Sequence, residues 1–558
     1  MISPPHLNTF MQKQILENGD VFIYNEDVET KLGGIVNALL AEAKKVKNWG
    51  VISPLILSKD NTIKWHGGFI APNLNMPMSY GAGEKYVGQF PGTRDVMSVL
   101  FYCAIISKDL AKKLPPPEEL GTGDVFMDTD YCLQAIANDF KILATDVESV
   151  RYYGADQKEL KPQDYFLNLR ESAAAFSQRW GETFAKHYSL PICYQSRVNA
   201  PTGFAIAVGN YMKALSELGT DVCYNFIGGA PETEASPEDM YLTAITEKQP
   251  DVNMPQVIWG QAPLFFKNSG KYKIGHCEFE GEEWPESWVP YCNMMDEVWV
   301  PTKWDRQKAI KAGVNRPIYV IYQGIDPDYY HPDIAPMEIE IPQAFKFIVT
   351  GAWLERKNLG NLLKTFARTF GKNEDVCLVV KTMNLGLVED ISEEIKKLKI
   401  SDNSGWIYVK EEDWPTSYLP SFYTMGHCFV LPTHGEGWGL PIFEALACGI
   451  PVITTAYGAP NEVLRDGTKK NEPLPGIHFL DYNLVKSRDK YEYLKNNMWA
   501  EPNLMQLAEK MRYVYDNYAK EKKRAMETSK IIREKFSWRE CVKPIIERLK
   551  IIHNENFK

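Results

Sequence analysis

From Leu190 onward, short apolar runs alternate with longer stretches in which apolar positions recur every three or four residues. Runs of the first kind read as buried strands and stretches of the second kind as amphipathic helices. Strands are predicted at Pro191–Tyr194, Asp221–Phe226, Val257–Gly260, Val298–Pro301 and Ile318–Tyr322. A helix is predicted from the Asn199–Gly203 loop through Leu218, and another over Lys303–Ala312. A second set begins at Phe345–Gly351, with strands at 377–382 and 406–410 and helices at 358–371, 390–399 and 416–424. Between the two sets, Gln323–Pro342 is rich in proline and acidic residues and has no clear period, as an interdomain linker does. Alternation sustained over such a length predicts parallel sheets built from strand–helix–strand units.

The leading part is patterned differently. A polar stretch predicted to be helical precedes strand-like runs at Val21–Tyr24, Gly50–Leu57 and Val99–Ile106. Residues 156–187 are polar and aromatic and read as a helical connector.

The segment Thr433–Gly449, THGEGWGLPIFEALACG, adds chemistry to the pattern. Before it, Cys428–Leu431 reads as a buried strand; after it, Pro451–Thr455 reads as the next one. Pro441 suits a first helical turn, where its missing N–H costs nothing, and Gly449 suits the helix stop. In a parallel sheet the intervening loop lies at the carboxyl edge, where ligands bind. Gly435, Gly437 and Gly439 let the backbone approach a ligand, and the N–H groups that open the helix at Leu440 attract anions. Glu436 projects from the loop. Glu444 follows after seven intervening residues, about one turn into the helix and facing the same crevice.

This segment resembles the signature of retaining family 4 glycosyltransferases, which have the GT-B fold: two facing Rossmann-like domains with a crevice between them. The resemblance covers about residues 190–553. It implies that Glu436 lies by the donor sugar and that Glu444 binds the nucleotide ribose. After the strand that ends at Gly351, the pair Arg356 and Lys357 matches the family's basic pair for the donor pyrophosphate; the family's usual arginine position holds Ala352 here. Gly203, after the first strand, matches the glycine turn that borders donor phosphate and acceptor. His276, at the end of another strand, matches a histidine that approaches the donor sugar. A structural histidine is the equal alternative. Glu280 and the Trp284–Trp288 run read either as an acceptor groove or as a packed loop. The implied plan is a first Rossmann-like domain over 188–322 on the acceptor side and a linker over 323–343. The donor-side domain over 344–535 follows, and a helix over 536–558 crosses back.

Residues 21–155 resemble, in part, inverting family 2 glycosyltransferases of GT-A fold. Asn25-Glu26-Asp27 looks like that family's metal-binding turn, and Gly121–Leu133 like its later acidic motif, with Asp128 as the base. Too few residues precede the first turn for a nucleotide-binding half, and Met127 stands where a glutamate is usual. The expectation is an incomplete segment over 1–155, with Asn25, Asp27 and Asp128 as vestigial metal candidates.

Composition narrows the partners. A chain of 558 residues implies about two to four domains. A net charge of −10 disfavours a nucleic-acid face. The ten cysteines form no C-x-x-C pair and read as reduced thiols of a cytoplasmic protein. No apolar run is long enough to span a bilayer, and peripheral contact with the inner membrane face stays open. The expected reaction moves a hexosyl group, with retention, from a nucleotide sugar to a saccharide or glycoconjugate, and needs no divalent metal. A sugar-nucleotide epimerase or another GT-B enzyme is the alternative, as is a non-catalytic carbohydrate-binding or scaffold module for residues 1–155.

Overall fold

The computed structural model describes residues 11–29, 32–71, 76–117, 126–153, 162–196, 202–227, 245, 251–386, 388–411, 414, 416–465 and 471–557. The chain divides into two compact units. One comprises Met1–Pro191, Ser216–Tyr224 and Pro231–Gln249; the other comprises Ile192–Leu215, Asn225–Ala230 and Pro250–Lys558.

The first unit is built on an eight-stranded mixed sheet. Its path runs Met11–Ile15, Val21–Asn25, Cys103–Ile106, Trp49–Leu57, Lys141–Tyr152 and Val28–Glu29. Along that path only Trp49–Leu57 and Lys141–Tyr152 run parallel. Phe22, Ile52, Ile56 and Leu143 form its core. The opening polar stretch is not helical where it is described: Met11–Ile15 is a strand, with Met11 opposite Asn25 and Ile15 opposite Val21. Pairing along a neighbouring strand overrides weak local propensity. The connector is the helix Pro162–His187, and its Phe176, Trp180 and Phe184 pack on Ile70, Phe126 and Leu133.

The vestigial metal candidates do not form a cation site as placed. Asn25 is buried and its Oδ1 accepts the backbone N–H of Asp27, so it closes a turn, while Asp27 is exposed. Asp128 lies in the first turn of the helix Met127–Ala137, not at a strand end, and is buried. Its carboxylate accepts the N–H groups of Phe101 and Thr129. Gly121–Val125 lie outside the described residues.

The second unit holds two parallel sheets. In the first, Ser189–Ser196, Pro255–Trp259, Tyr272–His276, Glu297–Val300 and Ile318–Val320 lie side by side in that order. In the second the order is Trp406–Glu411, Val376–Thr382, Phe345–Thr350, Cys428–Leu431, Val452–Thr455 and Ile477–Leu480. The chain starts this sheet in the middle, at Phe345–Thr350, works outward to Trp406–Glu411, and then returns to the other side at Cys428–Leu431. The reversal creates a crevice beyond the carboxyl ends of Thr350 and Leu431, the place where ligands bind in open parallel sheets. The helix Lys303–Ala312 is capped by Thr302, whose side chain accepts from Asp305 N–H, and is stopped by Gly313 at φ +104°.

The first sheet's loops meet those of the second across this crevice, and these two sheets have the GT-B architecture. The chain crosses between the two sheets twice, and the crossings run side by side. Ile325 exchanges backbone hydrogen bonds with Phe536 and Trp538. Beyond that crossing the helix Lys543–Asn556 packs back on the first sheet. There Arg548 pairs with the fully buried Glu297 at 2.8 Å, and Glu297 also accepts from Tyr272 Oη and Trp299 Nε1. Arg548→Ala would leave that carboxylate with neutral donors only. The expected loss is about 2 kcal/mol in urea unfolding, less than for a wholly unpaired buried charge. A loss below about 0.5 kcal/mol would show the pair to be no stronger than an exposed one.

Among the described residues no helix is long and apolar enough to cross a membrane.

Candidate active site

Two loops meet at the reversal of the second sheet. The first leaves the strand Phe345–Thr350, passes Gly351 and forms a tight turn over Glu355–Lys357. Asn358 then adopts φ +58°, a left-handed conformation that asparagine tolerates, and launches the helix Leu359–Thr369. The basic pair therefore sits in a turn ahead of the helix, not on its first positions. The second loop leaves Cys428–Leu431 and ends at Gly439, whose φ of +96° favours glycine, before the helix Leu440–Ala447. The loops are stitched together: Asn358 Nδ2 donates to Pro432 O and His434 N–H to Arg356 O, and Thr433 Oγ1 lies 3.1 Å from Arg356 O.

That stitching brings the charged groups into one cluster. Lys357 Nζ lies 2.9 Å from both oxygens of Glu436. Arg356 Nη1 lies 3.3 Å from Glu436 Oε2 and also donates to Gly435 O, while Nη2 lies 3.3 Å from Glu280 Oε1. Thr433 Oγ1 donates to Glu436 Oε1 at 2.9 Å. Glu436 and Glu280 are buried, at 4% and 8% exposure. Burial alone would raise the Glu436 carboxyl, but Lys357 and Arg356 overcome it and hold the group below the usual carboxylate range. Burial pulls Lys357 down against the opposing pull of Glu436, with Arg356 adding to the decrease. Arg356 is raised despite its burial, by Glu280 and Glu436. Two cations thus face a buried crevice, each paired with a carboxylate of the loops that meet there.

The first sheet closes the crevice from the other side. A Cβ on Gly435 would fall 2.5 Å from Glu280 O, and one on Gly437 would fall 2.9 Å from Glu278 Cδ. A Cβ on Gly203 would meet Leu440 Cδ1 at 3.8 Å, so the first glycine turn and the start of the second loop's helix are neighbours. Asn199–Pro201 lie outside the described residues. Glu278 accepts from Gln323 Nε2 at 2.7 Å, and burial, with Glu280 and Asp305 nearby, pushes its carboxyl up to about 8. No motif in the sequence singles out Glu278, and Glu280 stands there only as a groove candidate. The sequence signal for both is their alternation after the strand Tyr272–His276, which aims them at the same edge.

Glu444 is buried one turn into its helix, and its Oε2 accepts from Tyr423 Oη at 2.6 Å. Burial pushes its carboxyl up to about 7 against the hydrogen bonds from Tyr423 and Tyr330. Because the folded state holds this proton more tightly, the unfolded chain loses it first as pH rises. Stability is unaffected below pH 4.5, declines up to about 7 and is constant above. Glu444→Gln removes this decline. Unfolding midpoints at pH 5 and pH 8 should therefore shift in favour of the variant, by at most about 3 kcal/mol. A parent-to-variant difference independent of pH would refute the buried charge.

The structure does not bring His276 to the crevice. Its ring is fully buried, 3.8 Å from the Trp259 ring centroid and flanked by Tyr211 and Trp299. Burial pulls its pKa well down, so it is a neutral member of an aromatic cluster at the strand end. A lone histidine in sequence does not reveal that enclosure.

Fold and site together define a GT-B architecture with a charged crevice at the switch point of its second sheet. Residues 338–530 match the family of glycosyl transferases group 1, and this span holds both loops of the crevice. The chain is 25% identical over 244 residues to a probable sucrose-phosphate synthase of Thermosipho melanesiensis, covering 43% of this chain and 48% of that protein. It is 40% identical over 73 residues to O-antigen chain mannosyltransferase B of Escherichia coli, covering 12% and 18%. A solved sucrose-phosphate synthase from Thermosynechococcus elongatus aligns with TM-score 0.48 and 14% identity, covering 65% of this chain and 99% of that one. The chain spans less than half the length of the curated relatives it matches.

Proposed function

We propose that the second unit transfers a hexosyl group, with retention, from a nucleoside diphosphate sugar to a saccharide or glycoconjugate. The observation that carries this reading is the convergence of Lys357 and Arg356 on Glu436 at the switch point of the second sheet. On donor binding the two cations would exchange part of their contact with Glu436 and Glu280 for the diphosphate. The bond from the anomeric carbon to the diphosphate oxygen breaks, and its electron pair stays on that oxygen. Lys357, Arg356 and the backbone N–H groups that open the Leu440–Ala447 helix stabilise the charge that grows there. Glu436 stays ionised beside the sugar and supports the positive charge that develops on it. The acceptor hydroxyl forms the new bond to the anomeric carbon on the face the diphosphate leaves, and passes its proton to the departing diphosphate oxygen. Glu444 would accept from the ribose, with Tyr423 fixing the orientation of its carboxyl. Closing the loops of the first sheet over the crevice keeps water from the donor.

The test is a panel of nucleotide sugars incubated with the protein, read as release of nucleoside diphosphate. Release from at least one donor, continuing in EDTA because two side-chain cations carry the diphosphate charge, is expected. No release from any donor, with or without candidate acceptors, would refute the reading.

A further inference from the structure

A second cavity, of about 380 Å³, lies on the far side of the Glu436 loop, between the loops that follow Glu297–Val300 in the first sheet and Val452–Thr455 in the second. Gly458 lines it, and a Cβ there would lie 2.7 Å from Glu436 O; Ala459 N–H donates to the same oxygen. Glu282, on the opposite wall, is two residues from the Glu280 that pairs with Arg356. The cavity therefore abuts the charged cluster by two separate routes without sharing its basic side chains.

Its lining has a distinct chemistry. Three aromatic rings run along it: Trp304 and Tyr457 with centroids 5.1 Å apart, then Tyr457 and Tyr482 at 5.2 Å. Lys308 Nζ sits 3.1 Å from the Trp304 ring centroid and fixes that ring, while Tyr482 is 37% exposed. Beside the rings stand carboxylates and an amide. Glu282 accepts from Tyr457 Oη at 3.1 Å. Asn461, on the facing wall with Gly458, has its Oδ1 held by Arg465 and its amide N–H groups left to donate. Glu462 receives the backbone N–H groups of Lys303 and Trp304 at 3.0 and 2.7 Å, so it ties the two walls together. A pocket of aromatic faces with a few fixed polar groups suits a ligand that is apolar on its faces and hydroxylated at its rim. A pyranose ring has that form. Of the charged side chains that line the cavity two are carboxylates and one is Lys303. The nearby Lys308 is paired with Asp305 and the Arg465 guanidinium is turned to Asn461, so among the described residues no further free cation is set to hold a phosphate.

From these features, and resting on the glycosyl-transfer reading above, we infer that this cavity is the acceptor subsite and that it takes a neutral, unphosphorylated sugar ring. Trp304 and Tyr482 supply the stacking surface, and Glu282 with Asn461 engages the hydroxyls.

Saturation-transfer NMR on the full chain tests this with methyl α-glucopyranoside, methyl α-mannopyranoside, methyl β-galactopyranoside and glucose 6-phosphate as probes. UDP, GDP and ADP are read in parallel. At least one methyl glycoside should bind, and both Trp304→Ala and Tyr482→Ala should weaken it about tenfold, the effect of losing one apolar contact face. The nucleoside diphosphate signal should persist in both variants, and glucose 6-phosphate should bind no more tightly than methyl α-glucopyranoside. The partly exposed Tyr482 keeps the test decisive if Trp304→Ala proves unstable. Glycoside binding that is equal in parent and variants, or absent from the parent, overturns the subsite. Tighter binding of glucose 6-phosphate overturns its neutral-sugar character. Failure of every nucleoside diphosphate to bind the parent would count against the donor crevice alone, because the glycoside arms are read independently of it.

Discussion

Lys357→Ala is expected to slow transfer by about 100- to 1,000-fold, with the fold intact. Lys357 lies 2.9 Å from both oxygens of Glu436 in a buried crevice. There a cation aimed at a developing diphosphate charge works in a medium that does not screen it. Removing one such group elsewhere costs on the order of 3–4 kcal/mol in the transition state. Arg356 remains on Glu436 at 3.3 Å, so the carboxylate is not left without a partner and the stability loss should be small. Single-turnover measurements with saturating donor separate the chemical step from binding. A rate within twofold of the parent would show that the crevice is not where transfer happens.

The second large effect is expected from a single added methyl. Gly435→Ala places a Cβ 2.5 Å from the backbone oxygen of Glu280, an atom that cannot rotate away as a side chain would. Relief requires the loop of the first sheet to move off the loop of the second. Overpacking of this kind costs about 1–3 kcal/mol in a rigid core, but two loops from separate sheets can part for less. The variant should therefore melt close to the parent and yet lose about a hundredfold in transfer, the scale set by a displacement of about 1 Å at a reacting centre. Comparing melting midpoints with rates checks it. A large fall in stability with proportionate loss of activity would mean that the contact is structural only.

The parts of the fold legible in the sequence are those set by burial on both faces or by clear signals at both ends. Cys428–Leu431 and Lys303–Ala312 appear with the predicted ends, because one is fully apolar and the other is bounded by a threonine cap and a glycine stop. The strand Lys141–Tyr152 was not legible. Its pairing with Trp49–Leu57 shifts register between Thr145 and Ser149, so residues that should alternate fall out of step. The hairpin of Tyr482–Lys486 with Met498–Pro502 was missed for a related reason. Its first strand is largely exposed, and its register is held by pairing across a long loop. At the site, the two glutamates and the basic pair could be picked out because each sits next to a glycine or strand signal. Their union depends on Asn358 and Thr433 bridging two loops 74 and 77 residues apart in sequence, which no local pattern encodes. His276 shows the converse: its position was legible, but not the three aromatic rings that enclose it.

The side-by-side crossings at Ile325 and Phe536 bear on the order in which the protein is made. A ribosome releases the first parallel sheet long before it releases Lys543–Asn556, the helix that covers it. Until then Glu297 is a buried carboxylate waiting for Arg548, and the nascent first sheet carries that charge in an unfinished core. The second sheet's strands lie between Phe345 and Leu480, and the helices that cover it, Leu504–Asp516 and Tyr518–Lys535, follow directly. Glu521 sits on His478 and Ser529 on Ala447 O, so this sheet is complete before Lys543–Asn556 is made. Synthesis from the amino end thus completes the later sheet before the earlier one. Stalled chains that expose the protein to residue 535, but not Lys543–Asn556, should hold a protease-resistant second sheet and a first sheet that is still cleaved.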